Sequence, residues 1–339
     1  MRASRVSLVS RLVLASGLLA ALFGCGSSPA PPEASPEPGP TTIDEPIPPP
    51  PPVVAPGPVP ERSSKVCVAC GKPLAGKVIE LDGKRYHPDC YELFGPHCGI
   101  CQRTIHGRYV TLGDGLDYHK ECLDATPRCD GCGLPAGGKR GPALRWKDGR
   151  ITCTPCKSEA VVDNAAARSA LADARAALKT SLGIDLGSIE VPIQLVSKDD
   201  LLAQAKEVGQ PAIRALTIVR EEGSGDDGKR GVRSYRILAL YGLPRAGLVG
   251  ILAHELFHVS QSEASNADRD AAFREGSANY VQVVVLRARG EEMRARLIER
   301  DTDPVYGEGL RRFERLVQAA GQKKALQLGL RSIAFPDGY

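Results

Sequence analysis

The sequence has no dense run of lysine or arginine, no apolar run of membrane-spanning length and no histidine after residue 258. Its 44 basic residues nearly balance 40 acidic ones, leaving a formal charge of +4, so the electrostatic footprint of a nucleic-acid binder is missing. No nucleic-acid partner is expected. The N-terminal apolar run, Leu12 to Phe23, is too short to cross a bilayer. Residues 26–62 lack aromatic residues and hold fifteen of the 27 prolines, so they cannot bury enough surface to fold. They read as a tether, and a polyproline-II rise of about 3.1 Å per residue gives it a reach on the order of 100 Å. What is present in quantity is apolar residues, 42% of 339, enough for a real core and for two domains.

Arg2, Arg5 and Arg11 flank the short apolar run, as in an export signal over residues 1–24. The run ends at Leu22-Phe23-Gly24-Cys25, which resembles a bacterial lipobox. Cys25 is then the expected lipidation site and the first residue of a membrane-anchored lipoprotein. Gly26 in the next position favours the outer membrane or cell surface over the inner membrane.

Ten further cysteines fall into three sets when two histidines are added: Cys67, Cys70, His87, Cys90; Cys98, Cys101, His119, Cys122; and Cys129, Cys132, Cys153, Cys156. Each set has two pairs of ligands, each pair spaced by two residues and the pairs 16 to 20 residues apart, a spacing suited to tetrahedral zinc. Hairpins are expected inside two of the gaps, at Lys77–Leu81 with Lys84–Tyr86 around Asp82-Gly83, and at Leu144–Lys147 with Arg150–Thr152 around Asp148-Gly149. Disulfides are the competing reading for an exported chain with an even cysteine count, but they leave the positions of His87 and His119 unexplained. His97 and His106 are left over as surface or supporting residues. The pattern resembles LIM fingers, with linkers of seven and six residues where a LIM domain has two, and LIM-like modules imply a protein partner.

Beyond the fingers, Val161–Leu182 has helical spacing at Leu171, Ala174 and Leu178. Strands are expected at Glu190–Val196, Leu216–Arg220 and Val232–Tyr241, a helix at Lys198–Val208, and a polar loop at Glu222–Gly231. Pro244 suits the first turn of the next helix, in which Ile251, Leu252, Leu256 and Val259 form a buried face. His254 and His258 lie one turn apart on that helix and can share a metal ion, while Glu255 points elsewhere and suits a general base. The third ligand is not a downstream histidine, since Gln261 and Ala264 stand where a metzincin has Gly and His. Glu275, in Arg274-Glu275-Gly276, opens a second apolar helix and is the expected carboxylate ligand, with Glu263, Asp268 and Asp270 as competitors in a polar turn. Tyr306 is the candidate oxyanion donor, with a packed aromatic as the alternative.

Several stretches together resemble one family, the LIM-plus-zinc-metallopeptidase proteins known in plants as ubiquitin-activated limiters of organ growth. They are Asp124-Ala-Thr-Pro-Arg-Cys129, Lys147-Asp-Gly-Arg150, Tyr241-Gly-Leu-Pro-Arg245, Ile251-Leu-Ala-His-Glu255 through His258, Glu275-Gly276 and Asp303-Pro-Val-Tyr-Gly307. The resemblance implies a peptidase acting on protein substrates, with His254, His258 and Glu275 on the metal. Ubiquitin-interacting helices have no counterpart here and a first finger of the full LIM array is missing, so ubiquitin activation and plant substrates do not follow. The expected architecture is α+β: a zincin-like metallopeptidase domain at 161–339, preceded by LIM-like fingers at 63–160, the tether at 25–62 and the leader. One catalytic and about three structural zinc ions are expected. A non-catalytic, membrane-tethered zinc-finger scaffold is the alternative function.

Overall fold

The structure, a computed structural model, describes residues 65–207, 214–222, 231–265 and 268–339. The leader, Cys25 and the tether lie outside the described residues, as do Val208 at the end of an expected helix and 223–230 of the polar loop. No helix among the described residues is long and apolar enough to cross a membrane.

Two compact units divide after His87. In the first, β1 (Ile79–Leu81) and β2 (Lys84–Tyr86) form the expected hairpin. Asp82 and Gly83 both take positive φ, 51° and 72°, the conformation of a two-residue type I′ turn that matches strand twist.

The second unit, from Pro88 to Tyr339, holds both remaining fingers and the helical domain. The expected boundary at 160/161 is therefore not where the compact units divide. In chain order its finger elements are α1 (Pro88–Phe94), β3 (Val110–Thr111), β4 (Asp117–Tyr118), α2 (Lys120–Ala125), β5 (Leu144–Arg145), β6 (Ile151–Thr152), α3 (Thr154–Ser158) and β7 (Ala160–Val161). Then follow α4 (Asn164–Leu182), β8 (Ile193–Val196), α5 (Lys198–Glu207), β9 (Ala215–Glu222), β10 (Val232–Leu240), β11 (Leu243–Pro244) and α6 (Arg245–Ala264). The chain ends with α7 (Ala271–Ala288), α8 (Glu292–Glu299), α9 (Gly307–Ala320) and α10 (Gln322–Arg331).

α4 begins three residues later than its periodicity suggests, because Asp163 caps it by accepting the Ala166 N–H at 2.8 Å and Ala160–Val161 pair with β11. Its Ala167, Ala170, Leu171, Ala174, Ala177 and Leu178 are buried, and Gly183 closes it in the left-handed conformation. β8 starts only at Ile193, after Pro192, which has no amide hydrogen for a ladder. The sheet order is β8-β10-β9, with β10 parallel to β8 and antiparallel to β9. Pro244 is the residue before α6 rather than within it.

α6 packs against α4, α7, α10 and β9. It is buried on nearly every side, with Leu248, Val249, Ala253 and Phe257 joining the four apolar residues expected. α7 is capped by Asp270, which accepts the Phe273 N–H at 2.8 Å. α7 and α9 cross almost backbone to backbone at Gly276 and Gly309: a methyl on Gly276 would lie 2.2 Å from the Gly309 carbonyl carbon. The glycine after Glu275 is thus what admits α9 to this side of the molecule.

Candidate metal centre

One helical turn separates His254 and His258 on α6, and their Nε2 atoms converge to 3.0 Å. Glu275 enters from α7, with its Oε2 3.2 Å from His254 Nε2 and 3.3 Å from His258 Nε2. A tetrahedral zinc with bonds of about 2.0–2.1 Å needs ligand atoms about 3.3 Å apart, so these atoms fit three corners of such a site. The donor set, two imidazoles and a carboxylate, also suits that ion. Burial alone would raise the Glu275 carboxyl, but attraction to His258 and hydrogen bonding to both imidazoles hold it well below the usual carboxylate range. Its Oε1 accepts from Arg274 Nε at 2.9 Å, which leaves Oε2 for the cluster.

The competing acids are committed elsewhere or stand apart. Glu263 accepts a hydrogen bond from the Tyr235 hydroxyl and Asp270 caps α7. Neither they nor Asp268 joins the ligand-grade groups found among the described residues.

Glu255 is buried, and its Oε2 accepts the Thr217 hydroxyl from β9 at 2.6 Å. Thr217 was not singled out in the sequence. A lone threonine in a strand carries no local signal, and its partner is 38 residues away. In the sequence Gln261 marks only a departure from another motif, yet its Oε1 lies 2.8 Å from His258 Nδ1. Its position three residues past His258 on one helix was the available clue. Tyr306 precedes α9, with its carbonyl accepting from Asn279 at 3.1 Å. Its phenol is pushed up by burial and then by the Glu275 and Glu255 carboxylates, so it lies within their electrostatic reach.

In the finger of the first unit, Cys67, Cys70 and His87 bring their ligand atoms within 4.8 Å of one another, and Cys90 follows three residues after His87 in sequence. Cys98, Cys101, His119 and Cys122 form the second set, where His119 Nδ1 lies 3.4 Å from Cys101 Sγ and 3.8 Å from Cys122 Sγ. Cys129, Cys132, Cys153 and Cys156 form the third. Cys132 and Cys153 sulfurs are 3.8 Å apart, the edge of a tetrahedron with zinc–sulfur bonds of about 2.3 Å. None of these ten cysteines is in a disulfide. The third set is ringed by donors: Arg140 reaches the Cys132 and Cys153 sulfurs at 3.3 Å, and the Gly131 and Cys153 amides reach Cys129 at 3.3 Å. Hydrogen bonds from Cys132 and Cys156 lower the Cys129 thiol, while Cys129 and Cys132 push Cys156 up. His97 and His106 are not in any set; they bond Thr104 and Glu92.

The chain aligns over 333 residues with Protein DA1 of Arabidopsis thaliana at 25% identity, covering 77% of this chain and 61% of that protein. Protein DA1-related 7 of the same plant aligns over 334 residues at 26% identity, covering 77% and 57%. LIM domain-containing protein B of Dictyostelium discoideum is 36% identical over 93 residues, 27% of this chain and 15% of that protein. The chain thus spans about three fifths of the length of the two plant relatives. No protein-family model and no solved structure matches it. With its finger-like Cys/His sets standing ahead of an HxxxH-plus-Glu group, the chain is homologous to the plant proteins DA1 and DA1-related 7 over about three quarters of its length.

Proposed function

We propose that the chain is a zinc-dependent endopeptidase acting on protein substrates, with LIM-like fingers that hold three structural zinc ions. The observation that carries this reading is the triangle of His254, His258 and Glu275 donor atoms, 3.0 to 3.3 Å on its edges, with Glu255 one residue from His254. Zinc bound there supplies Lewis acidity and brings the pKa of a water towards about 7. Glu255 takes a proton from the attacking water and passes it to the leaving amine. The Thr217 hydroxyl holds Glu255 Oε2, which leaves Oε1 as the proton acceptor. Tyr306 donates to the oxyanion from the side of α9. Among the described residues β9, the strand that carries Thr217, pairs only with β10, so its other edge offers main-chain hydrogen bonds to an extended peptide.

Glu255→Gln tests the reading. Metal content should persist while hydrolysis of a denatured protein substrate falls by about 10²–10⁴-fold. Hydrolysis that survives the substitution would sink the enzymatic reading and leave the finger scaffold in its place. The proposal extends to the leader: export, with acylation at Cys25 and attachment to the outer membrane or cell surface. Incorporation of a labelled fatty acid into wild type and equally into Cys25→Ser would refute that part.

A further inference from the structure

We propose that Gln261 is a positioning residue that fixes which nitrogen of His258 is presented to the metal. The inference rests on the metal reading above. Gln261 lies on α6 one turn beyond His258 and is only 2% exposed, so its amide is satisfied by protein groups.

Side-chain amides can be placed either way round, but the partners here allow one orientation. Gln261 Nε2 lies 3.0 Å from the Gly329 carbonyl oxygen, which can only accept. It also lies 3.0 Å from Ser277 Oγ, whose own proton goes to the Arg274 carbonyl at 3.0 Å. Both contacts require the NH2 group on that side. Oε1 therefore faces His258 Nδ1 at 2.8 Å, and Oε1 can only accept. Nδ1 must carry a hydrogen, so the proton His258 gives up to admit a metal is the one on Nε2. That is the atom 3.0 Å from His254 Nε2 and 3.3 Å from Glu275 Oε2.

Among the described residues His254 has no equivalent partner: its Nδ1 is buried without a hydrogen bond to them. The orientation of the pair is therefore held from the His258 side. The same glutamine ties three helices to the site. Ser277 stands two residues past Glu275 on α7, and Gly329 belongs to the last turn of α10, where carbonyls lack intrahelical partners. The adjoining Leu330 carbonyl accepts from Arg269, which also donates to the Gln261 carbonyl. Gln261 thus sets the distance between the ligand on α7 and the ligands on α6 while it sets the tautomer.

Two substitutions separate positioning from mere packing. Gln261→Leu removes the acceptor for Nδ1–H, whereas Gln261→Glu keeps that acceptor and loses both donor contacts. The full chain would be dialysed against a chelator that strips the His/His/Glu site but spares the thiolate fingers, then titrated with zinc. Melting temperature would be recorded beside each titration. We expect Gln261→Leu to bind zinc about 10- to 100-fold more weakly. Gln261→Glu should bind near the wild-type level despite a lower melting temperature. Wild-type affinity in Gln261→Leu, or loss of zinc by both variants in step with their melting temperatures, overturns the inference. Failure of the wild type to take up this zinc overturns the metal reading itself, and the inference with it.

Discussion

A single methyl group at Gly276 tests whether the α7–α9 crossing builds the site. In Gly276→Ala the new carbon would lie 2.2 Å from the Gly309 carbonyl carbon and 2.3 Å from its oxygen. Carbon contacts settle at about 3.5 Å or more, so α9 must withdraw by roughly 1.3 Å. Both obstructing atoms are backbone, so no side-chain rotation relieves the clash. Overpacking of this kind costs up to about 3 kcal/mol. Replacing glycine inside a helix returns about 1 kcal/mol, leaving a net loss of about 2 kcal/mol. At about 2–4 °C per kcal/mol for a domain of this size, the melting temperature should fall by roughly 4–8 °C. The same movement displaces Tyr306, at the start of α9, and disturbs Glu275 beside the substituted position, so peptide hydrolysis should fall as well. Thermal unfolding followed by helical circular dichroism reads the first effect. Gly247→Ala is the milder comparison, because its methyl would meet no backbone atom, only the Arg294 side chain with Nη1 at 3.3 Å, a few tenths of an ångström too close. If Gly276→Ala melts at or above the wild-type temperature, or no lower than Gly247→Ala, the close crossing is not a constraint and the account of the Glu-Gly pair is wrong.

Thr217→Val keeps the shape of the strand residue and removes the donor to Glu255; a hydrogen bond to a charged group is worth about 1.5–3 kcal/mol, so activity should fall about 10- to 100-fold with zinc content intact. Unchanged kcat/KM would remove Thr217 from the mechanism. A fragment of residues 160–339 should melt well below the full chain or aggregate, because it loses the finger that covers Tyr241 and Gly242. Equal melting temperatures for the fragment and the full chain would make that finger dispensable. Metal analysis should find four zinc ions per chain, and about one ion with no titratable thiols would point to disulfides instead.

What was legible in the sequence was what short spacing encodes. The i,i+4 placement of His254 and His258, the knuckle pairs, the Asp82-Gly83 turn and the apolar stripe of α4 each depend on residues within a few positions of one another. Glu275 was legible for a different reason: it opens a second apolar helix that can face the first, and its Glu-Gly pair matches the family the sequence resembles. α6 shows where local pattern stops. Its apolar residues suggested one buried face, but the helix is enclosed by α4, α7, α10 and β9, and even Gly250 is a contact point, with a methyl there meeting Leu286 at 2.8 Å. Thr217 was illegible as a partner because Glu255 lies 38 residues away; Gln261 stands three residues from His258, but the Gly329 carbonyl that orients its amide lies 68 residues away. The contact between the third finger and the helical domain was illegible for the same reason, since strand β7 ends the finger region but pairs with β11 at the head of α6.

That last pairing changes what the third finger is for. The Arg245 N–H, one of the unsatisfied donors at the start of α6, is taken by the Glu159 carbonyl at 2.9 Å. The Tyr241 carbonyl just before it accepts Arg150 at 2.8 Å, and the Tyr241 ring meets Trp146 edge-on at 5.3 Å. Gly242 has φ of +78°, and any side chain there would strike the Trp146 ring at 2.6 Å. From the other side, Arg294 on α8 donates to the Gly131 carbonyl at 2.6 Å and reaches the Cys156 sulfur at 3.9 Å. A helix is a stiff rod, and His254 stands nine residues from Arg245, so a finger fixed to the head of α6 also fixes the histidines farther along it. A structural zinc site contributes its binding energy, about 10–16 kcal/mol in isolated fingers, directly to folding. Loading the third finger with zinc should therefore stabilise the surface on which the helix of His254 and His258 is seated, and stripping it should loosen both histidines although no finger ligand touches them.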